Sequence, residues 1–166
     1  PGVTVGLAHA SFTEALINLA GADVVEAVYG VFPKATWGDN VAGLAKAKEY
    51  LQKYNPQDAG SMDYLTTWAA TLVVAEILKN AINNVGYDKL AKGGADAWSA
   101  IEKYGIQKLS GYDVQGLQGA VTYTAGDNRL DKLLKVFKIT SGKINAVSGW
   151  IEAPLIKYEE FSWWGK

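Results

Sequence analysis

Residues 3–32 read VTVGLAHASFTEALINLAGADVVEAVYGVF, and the change of texture along this stretch decides the fold class. Val3–Ala8 reads as a short buried strand, with β-branched residues early and Gly6 near its end. Ser11-Phe12-Thr13-Glu14 has the capping-box spacing, in which a hydroxyl and a carboxylate satisfy free amide N–H groups at a helix start. The spacing predicts a helix over Glu14–Ala20, stopped at Gly21. Val24–Phe32, dense in Val and aromatic residues, reads as a second strand. Strand, helix and strand within about thirty residues is the βαβ unit, which implies a parallel sheet with a right-handed crossover.

Outward from this unit, Pro33–Asn40 (PKATWGDN) reads as a loop whose Asp39 or Asn40 caps the next helix. That helix covers Val41–Tyr54, with Leu44, Ala47 and Leu51 on one face, and Asn55-Pro56 breaks it. A long helix is predicted over Asp63–Asn84, with Leu65, Trp68, Ala69, Leu72, Ala75 and Leu78 at three- and four-residue steps. Its wide apolar stripe implies a place deep in a core. Ala95–Tyr104 reads as a shorter helix, begun near Gly93-Gly94 and ended by Gly105. The texture then turns strand-like over Ala120–Thr124, Leu133–Thr140 and Lys143–Ile151, with turns at Gly126-Asp127-Asn128 and a tight hairpin at Ser141-Gly142. Pro154–Lys166 is aromatic-rich and irregular. The whole reads as α/β, but so few early strands leave a sheet edge unpaired.

Composition narrows the function. Sixteen basic residues against seventeen acidic ones give no long-range field for nucleic acid, and no run of five basic residues occurs. The absence of cysteine removes disulfides, thiolate metal sites and cysteine nucleophiles, and fits either a reducing cytoplasm or a larger exported protein. The longest apolar stretch, around Trp68–Leu78, is broken by Thr71 and Glu76 and is too short to span a bilayer. No signal peptide opens the chain, which starts Pro1-Gly2 without an initiator Met, so a processed piece is expected.

Four strings in order carry a resemblance: GLAHASFTEALINLAG (6–21), VVEAVYGVFP (24–33), YLTTWAATLVVAEIL (64–78) and GLQGAVTYTAGDNRLDKLLKVFKITSGKI (116–144). Together they resemble the C-terminal portion of type I periplasmic solute-binding proteins, specifically the branched-chain amino-acid (Leu/Ile/Val) type that serves ABC transporters. The resemblance implies an α/β, two-lobed fold with Rossmann-like parallel sheets flanked by helices, of which only the C-terminal part is present. Residues 1–31 plus 134–166 would form part of one lobe and 32–133 part of the other. The N-terminal half, with its signal peptide, would be absent, and the crossings near Phe32-Pro33 and Lys132–Leu134 would be hinges. The implied partners are a small-molecule ligand (an amino acid, or an aromatic or aliphatic carboxylate), an ABC permease and the missing N-terminal half. The implied location is periplasmic, or extracytoplasmic and membrane-associated. No cofactor or metal is called for.

His9, the only histidine, follows the first strand at its C-terminal end, where open α/β sheets place ligands. In amino-acid-binding relatives the matching position resembles an acidic residue that holds the ammonium group. Histidine there suits a carboxylate or hydroxyl better. Ala8 and Ala10 flank it, and the Ser11 hydroxyl with the following first-turn amides suits an anion, although simple capping explains Ser11 as well. Trp37, directly after the first crossing, either closes over a ligand face or packs under its own loop. The resemblance implies a ligand-facing aromatic close to the start of the long helix, for which Tyr64 is the candidate, and Asp63 beside it serves the ligand or only the helix dipole. Trp68 reads as core, and Asp127, Asp131, Glu159 and Glu160 as turn or surface charges.

An enzyme is not expected: the sequence has no Gly-x-Ser-x-Gly elbow, no GxGxxG after the first strand, no P-loop and no metal-ligand spacing. The competing readings are a ligand sensor of the same fold in a receptor or regulator, and a stand-alone α/β interaction domain with protected sheet edges.

Overall fold

A computed structural model describes residues 3–57, 60–124, 126–127 and 129–163. The expectations at Pro1-Gly2, Asn128 and the last residues of the aromatic end, Trp164–Lys166, lie outside the described residues. The elements run β1 (Gly6–Leu7), α1 (Glu14–Ala20), β2 (Tyr29–Phe32), α2 (Ala42–Tyr54), α3 (Met62–Val85), α4 (Tyr87–Ala91), α5 (Gly94–Tyr104), β3 (Leu133–Thr140), β4 (Lys143–Ala146) and β5 (Ile151–Glu152).

The predicted βαβ unit is present: β1 pairs parallel with β2, Gly6 opposite Tyr29 and Leu7 opposite Gly30. The rest of the sheet is antiparallel. β3 returns from the far end of the chain to lie against β2 (Tyr29 opposite Lys138, Phe32 opposite Lys135), and β4 and β5 pair with β3. The sheet is therefore mixed, in the order β1-β2-β3-β4 with β5 on β3, and β1 forms one edge.

Strand lengths depart most from expectation. β1 keeps only Gly6 and Leu7 of Val3–Ala8, with Val5 O accepting from Tyr29 N at 2.9 Å just before it. β2 begins only at Tyr29: the amides of Val24 and Val25 bond back to Gly21, and Ala27 takes a positive φ of 64° to enter the sheet. Ala120–Thr124 is no strand, contributing only isolated bridges, Tyr112 with Val121 and Thr124 with Asp127. Lys143–Ile151 splits because the Ser148 hydroxyl takes the Val136 N–H in place of a ladder carbonyl. The hairpin at Ser141-Gly142 is as predicted, with φ of 51° and 69° at its two turn residues, the pair of positive values a type I′ turn needs.

The helices follow the sequence closely, apart from their caps. Ser11 belongs to a 3₁₀ turn (His9–Ser11), so it cannot cap α1. Thr13 holds that position without a side-chain bond, and Glu14 accepts from Met62 N at 3.0 Å instead. The capping box is thus replaced by a tie between α1 and the start of α3. Val41, not Asp39 or Asn40, is the N-cap of α2, because the Asp39 carboxylate is taken by Thr36 N and Lys135. α4 is an addition that the sequence reading passes over.

Two hydrophobic cores result. One joins Phe12, Val25, Phe32, Met62, Phe137 and Ile139 between α1 and the sheet. The other joins Leu44, Ala47, Leu65, Ala69, Val73, Leu109, Val114, Leu117 and Val121 around α2 and α3. Each large apolar side chain sealed in them contributes about 1.5–3 kcal/mol. α3 touches both, through Met62 at its first turn and Leu65 onward. It lies less deep than predicted: Ala75 is exposed, Val74 is 53% and Leu78 39% exposed. By length and composition α3 is also long and apolar enough to cross a membrane, although one stripe of it is seated in this core.

Candidate functional site

The expected site residues fall into two groups. The first sits at the C-terminal end of β1. Ala8 is extended and the chain then closes a 3₁₀ turn, Ser11 N bonding to Ala8 O at 3.0 Å. Ala8, His9, Ala10 and Ser11 are all exposed. The imidazole of His9 lies on Phe32, ring centroids 4.7 Å apart and tilted by 57°. Phe32 meets Phe137 edge-on below it. A buried aromatic at the last residue of β2 therefore props His9 up at the strand end.

The second group is built on the start of α3. Ser61, the N-cap, accepts from Asp63 N at 3.2 Å and Tyr64 N at 3.4 Å, and its carbonyl accepts from Trp37 Nε1 at 2.8 Å. That bond fixes the indole plane, and Tyr64 stacks on it at 5.9 Å, followed by Trp68 at 6.1 Å. Trp68, expected in the core, is only partly buried and stacks in this row, where Tyr50 of α2 meets it at 5.4 Å. Asp63 is exposed beside them. Trp37 and Tyr64 are thus in contact, with Asp63 adjacent in sequence.

A cleft runs beside this second group. One part, about 270 Å³, is lined by Glu14, Ile17, Thr36, Trp37, Lys143 and Asn145. A neighbouring part, about 280 Å³, is lined by Thr13 before α1, Glu14 and Asn18 in it, and Gln57, Ser61 and Asp63 before and in α3. Sequence reasoning missed Thr13, Glu14, Asn18, Lys143 and Asn145. For Glu14 the signal was present but assigned to local capping. The cleft lining carries carboxylates, amides, hydroxyls, one ammonium and an aromatic face, a mixture able to contact a small polar molecule. Among the described residues no group of three His, Cys, Asp or Glu side chains could hold a metal.

Beside the cleft, charged pairs tie residues 34–39 to residues 131–135. Lys34 is buried and bonded to Asp131, and Lys135 pairs with Asp39 at 3.3 Å. Burial pushes the Lys34 ammonium below its usual range, and the bond to Asp131 opposes that only in part. Asp131, expected as a surface charge, is this buried ammonium's partner. Asp127, read as a turn residue, accepts from Arg129 Nε at 3.0 Å and pairs with Lys132 at 3.2 Å. The Arg129 bond holds its carboxyl far below the usual carboxylate range. Arg129 also reaches the carbonyls of Ala153 and Pro154, pinning the C-terminal segment.

Comparison with solved structures decides what this architecture is. A branched-chain amino acid ABC transporter protein from Thermus thermophilus, with bound valine, superposes over 91% of this chain with a TM-score of 0.75 at 17% identity. The chains share one fold. A fatty acid ABC transporter substrate-binding protein from Thermomonospora curvata matches over 90% of this chain (TM-score 0.68, 15% identity). A leucine-binding protein from Thermotoga maritima does so as well (TM-score 0.60, 16% identity). The second is named as a substrate-binding protein and the third as a leucine-binding protein. The chain spans 40% of the length of the first and 37% of the other two. No family model matches the sequence, and no curated protein matches it either.

Proposed function

We propose that this chain is the C-terminal part of an extracytoplasmic solute-binding protein of an ABC importer, which captures an amino acid or other small organic acid by closing two lobes around it. The observation that carries the reading is the fold shared with a valine-bound transporter protein over 91% of the chain. The division into two cores supports it, because a protein that grips a ligand by hinge motion needs two bodies that stay rigid while the links bend. On this reading residues 1–31 and 134–166 belong to one lobe and 32–133 to the other. Met62, which reaches into the opposite core, and the Glu14 bond to its amide act as contacts between the lobes.

An N-terminal half would supply the remaining walls of the site and cover the free edge of β1, and an ABC permease would receive the loaded form. His9, Ala8, Ala10 and Ser11 would meet the solute from one lobe and Trp37, Asp63 and Tyr64 from the other. With an imidazole at the strand end, the solute's carboxylate or hydroxyl is the group His9 would meet through a hydrogen bond. Trp37 and Tyr64 suit an apolar or aromatic portion of the same molecule.

The test is mass spectrometry of small molecules released from the intact protein on denaturation, followed by calorimetry with each candidate. The expected result is one dominant small organic acid that rebinds with a stoichiometry of one. Recovery of none, together with no heat from amino acids, fatty acids and aromatic carboxylates, would count against a solute-binding role.

A further inference from the structure

Three stretches of chain meet where the protein crosses between its two cores. Ala35 N donates to Leu117 O at 2.7 Å, and Lys34 and Gln118 are antiparallel bridge partners. A Cβ added to Gly119 would lie 2.5 Å from the Leu133 side chain, so 117–119 is wedged against the second crossing as well as the first. The polar side chains here are withdrawn from water: Lys34 is 1% and Gln118 3% exposed. Lys34 is bonded to Asp131. For Gln118, neither Oε1 nor Nε2 has a hydrogen-bond partner among the described residues. Bridge partners direct their side chains to the same face, about 5 Å apart at Cβ. The amide therefore emerges beside the stem of Lys34. A buried amide without a partner is rare in folded proteins and calls for a physical reason.

We infer that Lys34, Gln118 and Asp131 form a two-position clasp that lets the crossing segments shift between two bonded arrangements. In the arrangement described, Asp131 accepts from Lys34 and the amide waits. In the other, the Gln118 NH₂ donates to Asp131 while its carbonyl accepts from Lys34, since one amide offers both kinds of group. The exchange never strands the ammonium or the carboxylate alone, which is the expensive event in a buried pair. The Lys135–Asp39 pair, at the rim of the same crossings, keeps the segments from parting while they shift. The clasp rests on the reading of these segments as a hinge, but its readout requires no solute.

Amide hydrogen exchange of Ala35 in the intact protein tests it, because that N–H bridges the first crossing and 117–119. Gln118→Met removes the second arrangement and the unpartnered amide together, so Ala35 should exchange roughly tenfold more slowly and the melting temperature should rise. Asp131→Asn leaves a buried ammonium facing a neutral amide, and exchange there should quicken by at least about tenfold. Faster or unchanged exchange in Gln118→Met, a lower melting temperature in that variant, or unchanged exchange in Asp131→Asn would each overturn the clasp. Gln118→Leu carries the same expectation should the Met variant fail to fold. A protein that binds no solute yet shows both exchange effects would contradict the proposed function and leave the clasp standing.

Discussion

Gly30→Ala is the sharpest perturbation of the first core. Gly30 lies in β2 with ordinary negative φ, so alanine costs it no backbone strain, and only the space around the new methyl matters. That methyl would sit 2.2, 2.3 and 2.5 Å from three ring carbons of Phe12, against the 3.4 Å or more of an ordinary contact. Phe12 has no accessible surface and is enclosed with Val25, Phe32, Met62, Phe137 and Ile139, so its ring must move by about an ångström with nowhere to go. Overpacking of this kind costs about 1–3 kcal/mol, and the full enclosure argues for the upper end. For a domain of this size such a loss lowers the melting temperature by roughly 6–12 °C. Thermal and urea unfolding of the intact protein, followed by circular dichroism, would measure it. Phe12→Leu should rescue: the double variant should be more stable than the sum of the two single effects by about 1 kcal/mol or more, since the two side chains share one space. A Gly30→Ala protein as stable as the parent, or strict additivity with Phe12→Leu, would refute the placement of Phe12 over β2.

Three further outcomes are expected. Ser61→Ala removes the acceptor for the amides of Asp63 and Tyr64 and should destabilise the protein by about 1 kcal/mol, readable as a shift of the urea midpoint at constant slope. The Asp127 carboxyl is held low by Arg129, so its contribution is fully present above the unfolded value of about 3.9 and is lost as pH falls through the depressed folded value. Urea midpoints of Asp127→Asn between pH 2 and 7 should therefore show a weaker fall on acidification than the parent's, and equal slopes would contradict the pairing. His9→Ala should weaken binding of the co-purified acid by about 1–3 kcal/mol in calorimetry, and an unchanged affinity would remove His9 from the site.

Much of the helical half was legible because its signals are local. The faces of α2 and the stop at Asn55-Pro56 follow from spacing alone, as do the extent of α3 and the turn at Ser141-Gly142. What escaped depends on partners distant in sequence. Lys34 sits in a stretch that reads as an ordinary polar loop, and only Asp131, 97 positions away, makes its burial tolerable. Glu14 reads as half of a capping box until the start of α3 arrives 48 residues later to claim it. Asp39 likewise looks like a cap until Lys135 and the Thr36 amide take its carboxylate. The strands were overextended because β-propensity marks residues able to pair, while the ladder available from the neighbour sets where pairing ends. Within the site, the Trp37–Tyr64 stack unites two residues singled out separately, whereas His9 at the end of β1 is placed with Phe32.

On the proposed function, two rigid bodies are joined by links that bend when a solute is held between them. Small-angle X-ray scattering of the intact protein, titrated with whichever solute calorimetry shows it to bind, tests this most directly. The radius of gyration should fall along the same saturation curve as the calorimetric binding, because the occupied cleft draws the bodies together. Saturating binding that leaves the scattering curve unchanged would contradict the hinge, and with it the central claim.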